Sequence, residues 1–338
     1  MLYKRIDQIE VLLQQFAHQK IALTTHENPD GDGLSTALAI YYCLENIYQA
    51  KPQIVIDSPF PSFLDYLNHQ QCCITPYNML DPDFFFDLLL VLDCHEVDRV
   101  DTQKEIFQKA IKVLFIDHHV LKHQEINALY DYYIDDNAVC TGVIINRIFQ
   151  TKITKNLGSW VQDYLACIYT SIVNDTDNFV NSNSDLEAFQ TVVSLMELGL
   201  IPAVIVNQFL YRKPICFYKF LGAVLSTLET NNRVTTFYAT LEMLNQNGLT
   251  TEAYSKLMKH IKGASDIDIA VLFQEYEKEF YRMSVRSDKY DVAILAQHFG
   301  GGGHNRAAGF QLCGDLKTVK KQVLEYINNV VTFDNIKA

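Results

Sequence analysis

FDLLLVLD at residues 86–93 and KVLFIDHH at residues 112–119 are almost unbroken apolar runs, and both run into aspartate. A strand with one wet face alternates apolar and polar residues, whereas a continuous run predicts burial on both faces. Two shorter runs fit the same pattern, IALTTH at 21–26 and QIVID at 53–57. Residues 4–18 have helical periodicity, and LSTALAIYYCLENI at 34–47 is a second helix candidate. Apolar strands alternating with helices predict an α/β fold with a mainly parallel sheet flanked by helices. Open sheets of that kind place their sites beyond the C-terminal strand ends. In this chain the polar residues fall there.

Working outward, residues 138–210 are mostly helical in pattern, with WVQDYLACIYTSIV (160–173) and DLEAFQTVVSLMELGL (185–200) the clearest stretches. Pro202 and the run YRKP (211–214) mark a change of element. Strand candidates follow at 233–240, 266–276, 280–287 and 307–312, with a short helix at 292–299 and four glycines after it. The expected organisation is a catalytic domain over 1–195, a helical connector over 196–214 and a smaller α/β domain over 215–338. A cleft between two such domains is the expected place for a ligand.

Hydrophobic residues make up 49% of the 338 and charged residues 20%, which suits a buried core and not disorder. The net charge of −12 argues against a partner such as long duplex nucleic acid. A small anionic substrate, gripped by metal ions or a local basic patch, remains compatible with it. The eight cysteines form no CxxC pair and mostly sit in apolar runs, the pattern of buried thiols in a reducing cytoplasm. The N-terminus is too interrupted by charge for a signal peptide, and no stretch approaches 18 uncharged apolar residues, so no membrane association is expected.

Four polar groups end apolar elements in the first half. THENPDGDG (25–33) offers His26, Asp30 and Asp32. Asp30 and Asp32 straddle Gly31, so their side chains can diverge toward two nearby points, and carboxylates this close repel unless cations intervene. An Asp-Gly turn with a helix-capping aspartate is the plainer explanation of that segment alone. Asp93 ends the first long run, and Asp117, His118 and His119 end the second. Asp175 ends an apolar helical run, with Asp177 beside it. Histidine and aspartate without cysteine suit Mn²⁺, Fe²⁺, Co²⁺ or Zn²⁺ better than a structural thiolate site. Two such ions about 3.5–4 Å apart are a standard device for phosphoryl hydrolysis. No GxSxG supports a serine nucleophile.

Taken in order, HENPDGD (26–32), VLDCHEVDRV (91–100), IDHH (116–119), NDTDNF with SNS after it (174–184) and FGGGGHNRAAGF (299–310) resemble the motifs of the DHH–DHHA1 phosphoesterases, the branch with bacterial oligoribonucleases that also act on 3′-phosphoadenosine-5′-phosphate. The resemblance spans nearly the whole chain. It implies two divalent ions, foremost Mn²⁺, with Mg²⁺ also open. His26, Asp30 and Asp93 would hold one. Asp32, Asp93, His118 and Asp175 would hold the other, with Asp93 shared. It further implies that His119 orients the substrate phosphate, that Asp117 fixes a histidine, and that Arg99 is mainly structural. A homodimer is compatible with the family. The chain departs from the family pattern at Ser35-Thr36, where Gly-Ser is frequent, and at Asp177 and Val180, where glycine and arginine are frequent.

The glycine run removes four side chains in a row, allowing close approach of the backbone to a ligand. His304 and Arg306 add donors beside it. On an alternating strand Arg282, Ser284 and Arg286 share a face, and arginine suits phosphate. Residues 281–310 carry four Arg or Lys against two Asp. The family resemblance implies nucleotide contacts from Arg286, Ser287, Gly302, Gly303 and His304. The expected activity is hydrolysis of short oligoribonucleotides or linear dinucleotides, with removal of the 3′-phosphate from adenosine bisphosphate in addition. The alternatives are a cyclic-dinucleotide phosphodiesterase, a single-strand DNA exonuclease and a regulatory nucleotide-binding protein.

Overall fold

The computed structural model describes residues 2–3, 5–67, 72–120, 127–254, 257–261 and 263–330. Two compact units divide after Arg212, at Met1–Arg212 and Lys213–Ala338.

The first unit contains, in chain order, β1 (Leu2–Tyr3), α1 (Ile6–Gln15), β2 (Lys20–Thr24), α2 (Gly31–Tyr48), β3 (Lys51–Val55), β4 (Ile74–Thr75), β5 (Phe86–Leu92), β6 (Ala110–Asp117), β7 (Asp131–Ile134), α3 (Thr141–Ile153), α4 (Trp160–Thr176), α5 (Leu186–Glu197) and α6 (Pro202–Val206). Its strands form one sheet in the order β1-β7-β6-β5-β2-β3-β4, with every pairing parallel. The unbroken run of β5 explains its central place. Leu88, Leu90 and Leu92 enter the core that takes the apolar faces of α1 to α5. Leu89 and Val91 enter a second core with Phe107, Phe115 and Tyr132. Each fully buried leucine contributes roughly 1.5–3 kcal/mol. Both faces are therefore covered, but unequally. Long helices cover one, while the second is closed by the short 3-10 helix Lys104–Lys109 and an aromatic stack of Phe107, Phe115 and Tyr132.

Strand order reverses direction between β2 and β5, the point at which parallel sheets open a crevice at their C-terminal ends. His26, Asp93 and Asp117 follow or end β2, β5 and β6 there. After α6 the chain makes one wide helical turn, Asn207–Tyr211, so the expected connector is helical.

The second unit contains α7 (Ile215–Leu225), β8 (Glu229–Asn231), β9 (Val234–Ala239), α8 (Leu241–Gln246), β10 (Ile269–Glu277), β11 (Phe280–Arg286), α9 (Val292–His298), β12 (Gly302–His304), β13 (Ala307–Cys313) and α10 (Leu316–Val330). Its sheet is mixed, in the order β12-β13-β11-β10-β9-β8, with only β9 and β10 parallel. Ile269, Val271 and Phe273 pack with α9 and α10, and Ala270 and Leu272 with α7 and α8. Part of the expected glycine loop is strand: Gly302 to His304 pair with Gly309 to Ala307 as β12. Among the described residues no single helix is long and apolar enough to cross a membrane. Of the cysteines, Cys43, Cys94, Cys140 and Cys167 are buried, while Cys73 and Cys313 are exposed.

Candidate metal centre

His26 lies in the loop that leaves β2. That loop is pinned by backbone: Asp101 N donates to Thr25 O (2.8 Å), Glu27 N donates to Arg99 O (2.5 Å), and His26 bridges Val100. Arg99 thus acts on the site through its carbonyl, while its guanidinium lies 3.5 Å from Glu96 on the surface. The Nδ1 of His26 meets Glu27 O at 2.9 Å. A carbonyl only accepts, so Nδ1 carries hydrogen and Nε2 is the nitrogen aimed inward. Nε2 lies 3.6 Å from Asp30 and 3.4 Å from Asp93.

Asp30 caps α2, its Oδ1 accepting from Asp32 N (2.9 Å) and Gly33 N (3.2 Å). Asp32 is buried and accepts from Thr36 Oγ1, Ser171 Oγ and the backbone N–H groups of Thr141 and Gly142. Asp93 follows β5 with φ of 56°, left-handed for a non-glycine residue, and its N donates to Ile116 O at 2.9 Å. Strain of this kind concentrates at functional positions. Thr141 Oγ1 donates to Asp93 Oδ1 at 3.1 Å.

His118 repeats the arrangement of His26. Its Nδ1 meets Ala138 O at 3.2 Å, and its Nε2 faces Asp175 (3.1 Å), Asp93 (3.5 Å) and Asp32 (3.7 Å). Asn174 Nδ2 donates both to Asp30 Oδ2 (3.0 Å) and to Asp175 Oδ1 (2.9 Å), linking the two carboxylates. Ligand atoms of His26, Asp30 and Asp93 lie within 4.8 Å of one another, as do those of Asp32, His118 and Asp175.

These groups fit divalent cations. Burial, with Asp32 adding repulsion, pushes Asp93 well above the usual carboxylate range. The same two causes push Asp175 up to about 6. Among the described residues the Nε2 of His118 is buried with no well-aligned hydrogen bond, its nearest neighbour being Asp175 at 3.1 Å. Two imidazoles tied to carbonyls through Nδ1, with Nε2 turned to carboxylates, form the arrangement in which metal-binding histidines are held.

Asp117 is fully buried and has a different task. Its Oδ1 accepts from His118 N (2.7 Å), His119 N (3.2 Å) and His119 Nδ1 (2.8 Å). Its Oδ2 meets His95 Nδ1 at 2.5 Å. His119 is half exposed, 3.6 Å from Asp93. Sequence reasoning overlooked His95, although a histidine two residues beyond a strand-ending aspartate was a usable signal. It also overlooked Thr141, Ser171 and Asn174, which sit inside helical runs and carry no local signature.

Gly31 is required by close approach. A Cβ there would stand 2.6 Å from Asn174 Oδ1 and 2.8 Å from Phe209. Gly31→Ala should push Asn174 off Asp30 and Asp175, lowering stability by about 1–3 kcal/mol and weakening Mn²⁺ binding. Thermal melts with and without Mn²⁺ check this; an unchanged melt and an unchanged affinity would contradict it.

Asp177 ends α4 in the left-handed conformation, φ 49°, and Asn178 and Phe179 follow at 56° and 65°. A backbone of that shape favours glycine, which accounts for glycine being frequent there in the family. Val180 is 70% exposed.

In the second unit Arg282 and Arg286 are exposed on the face of β11 opposite buried Tyr281, Met283 and Val285. The Arg282 guanidinium lies over the Tyr276 ring at 4.2 Å. The Ser287 hydroxyl is buried, donating to Asp268 O and accepting from the backbone N–H groups of Lys289 and Tyr290. Gly303 is needed for strand packing, since a Cβ would stand 2.5 Å from Ala307 O. Gly302 faces open space, and Arg306 is exposed. The His304 side chain lies outside the described set.

Residues 20–172 match the DHH family, N-terminal domain, and residues 233–332 match the DHHA1 domain. The chain is 26% identical over 318 residues to the "Bifunctional oligoribonuclease and PAP phosphatase NrnA" of Thermus thermophilus, covering 92% of this chain and 90% of that one. It is 23% identical over 323 residues to the protein of the same name from Mycoplasma genitalium, covering 94% of each. Its fold matches an exopolyphosphatase-related protein from Bacteroides fragilis with a TM-score of 0.83 at 19% identity, over 96% of both chains. With both matched segments in order and the Asp/His groups of the first converging at the sheet's switch point, the chain belongs to the DHH–DHHA1 family of metal-dependent phosphoesterases.

Proposed function

We propose that the chain hydrolyses short oligoribonucleotides and linear dinucleotides to mononucleotides, and removes the 3′-phosphate of 3′-phosphoadenosine-5′-phosphate (pAp). The observation that carries this is the pair of ligand groups, His26–Asp30–Asp93 and Asp32–His118–Asp175, with Asp93 within 3.5 Å of both histidines. The relatives named as oligoribonuclease and PAP phosphatase support the choice of substrate. The chemistry supplied by two divalent cations, Mn²⁺ foremost, is neutralisation of phosphate charge and a lowered pKa for an attacking water.

The protein's own residues do the rest. His118 and His26 present Nε2 inward because their Nδ1 atoms are tied to carbonyls. His119, held through Nδ1 by Asp117, presents Nε2 to the substrate phosphate. Arg282, Arg286 and Arg306 supply guanidinium donors for nucleotide phosphate, and the exposed backbone at Gly302 and Gly303 admits it closely. Ser287 serves by shaping the turn after β11, and His304 is a further proposed contact.

Turnover should be measured with Mn²⁺ on pAp, pApA, RNA from dimers to 20-mers, cyclic di-AMP and single-stranded DNA. Release of mononucleotides from the shortest RNA, falling with length, is expected. Equal rates on long and short chains would remove the length preference. Turnover of cyclic di-AMP or DNA alone would replace the substrate class, and no turnover at all would favour a nucleotide-binding role.

A further inference from the structure

We infer that His95 is a positioning residue for His119, acting through Asp117. The inference rests on the proposed phosphoester hydrolysis and deepens it. β5 and β6 run side by side and pair Leu92 with Ile116, so the chain leaving β5 passes beside the end of β6. That places the buried His95 against the fully buried Asp117, with Nδ1 2.5 Å from Oδ2. An ionised carboxylate only accepts hydrogen bonds. The Nδ1 atoms of both His95 and His119 therefore carry hydrogen, and Asp117 is held at both oxygens from two sides.

The consequence falls on His119. With Nδ1–H committed to Asp117 Oδ1, its half-exposed ring keeps Nε2 for the substrate. Oδ1 is supported by the backbone N–H groups of His118 and His119, whereas Oδ2 takes its bond from His95. Without that bond the carboxylate can turn about Cβ–Cγ, and the Nδ1–H of His119 loses its fixed acceptor. Neither of the two ligand groups includes His95, so metal binding stays nearly unchanged.

The test uses the full chain as wild type, His95→Ala and His95→Asn; the asparagine amide places an N–H where Nδ1–H stood. His95→Ala should lower kcat roughly 10- to 100-fold, the usual cost of losing such an outer partner. KM and Mn²⁺ affinity by calorimetry should stay within a few-fold, and His95→Asn should recover most of kcat. Long-range ¹⁵N–¹H spectra of the ¹⁵N-histidine protein loaded with Mg²⁺ should show His119 as the Nδ1–H tautomer in wild type and His95→Asn, and as a mixture in His95→Ala. An unchanged tautomer and kcat in His95→Ala overturns the inference, as does a wild-type His95 protonated at Nε2 alone. If His95→Ala does not fold, His95→Asn decides: retention of the His119 tautomer supports the inference and its loss overturns it. Failure of the wild type to hydrolyse any phosphoester defeats the functional proposal, while the spectra still decide whether His95 holds His119.

Discussion

Asp93→Asn should lower kcat/KM by more than about 100-fold, beyond the range expected for losing an outer partner of a metal site. Asp93 is the one carboxylate set against both histidines, 3.4 Å from His26 Nε2 and 3.5 Å from His118 Nε2. Asparagine keeps the shape and can still accept from Thr141 Oγ1, but it brings no charge. Stability of the metal-free protein should move little, within about 1 kcal/mol, because burial and Asp32 already disfavour charge at Asp93 and the amide keeps its shape. General damage would instead lower both. The measurements are turnover, Mn²⁺ titration calorimetry and a melt of the metal-free protein. Mn²⁺ affinity equal to wild type would exclude Asp93 as a shared ligand.

Much of this site was legible because a buried strand leaves little freedom to the residues just beyond its end. FDLLLVLD must lie inside a sheet, so Asp93 must emerge at its C-terminal edge, and the same holds for Asp117 after KVLFI. The helix candidate after NPDGDG was equally constrained, because Asp30 caps it and brings Asp32 into its first turn. The short strands β1, β4, β7 and β8 were not legible. With two to four residues each they have too little periodicity, and their place comes from pairing with longer neighbours. The same limit hid Asn174, Thr141 and Ser171, whose bonds to the carboxylates span more than 100 residues in several cases. Within the glycine run the spacing does not tell the four positions apart: a Cβ at Gly301 or Gly303 would meet the backbone of the neighbouring strand, whereas Gly300 and Gly302 face open space.

Loading the centre with Mn²⁺ at neutral pH should release protons, because ligands must be deprotonated to bind. Burial opposes charge on His26, but Asp30 and Asp93 outweigh it and raise its pKa to about 11. Burial likewise opposes His118, and Asp175 with Asp32 outweighs it, raising it to about 10. Burial and the neighbouring Asp32 push Asp93 well above the usual carboxylate range. Cation binding would displace the protons that this cluster holds. Calorimetry in buffers of different ionisation enthalpy reads the number directly, and a heat independent of buffer would show that these groups are not the ligands. The same shifts fix a pH dependence. Asp175, raised to about 6, supports the metal-free fold fully below its unfolded value and ceases to do so as pH climbs through about 6. Asp30, held near 2 against burial by its bond to His26, titrates below that window. The two histidines give their support in full below their ordinary value of 6.5 and lose it progressively as pH rises through about 10 and 11. Metal-free protein should therefore lose stability between about pH 4 and 6 as Asp175 ionises, and Mn²⁺ should restore it by occupying the carboxylates whose repulsion caused the loss. The gap in Tm between loaded and metal-free protein should widen over that range, and a gap that stayed constant or narrowed would mean that Asp175 does not face a cation.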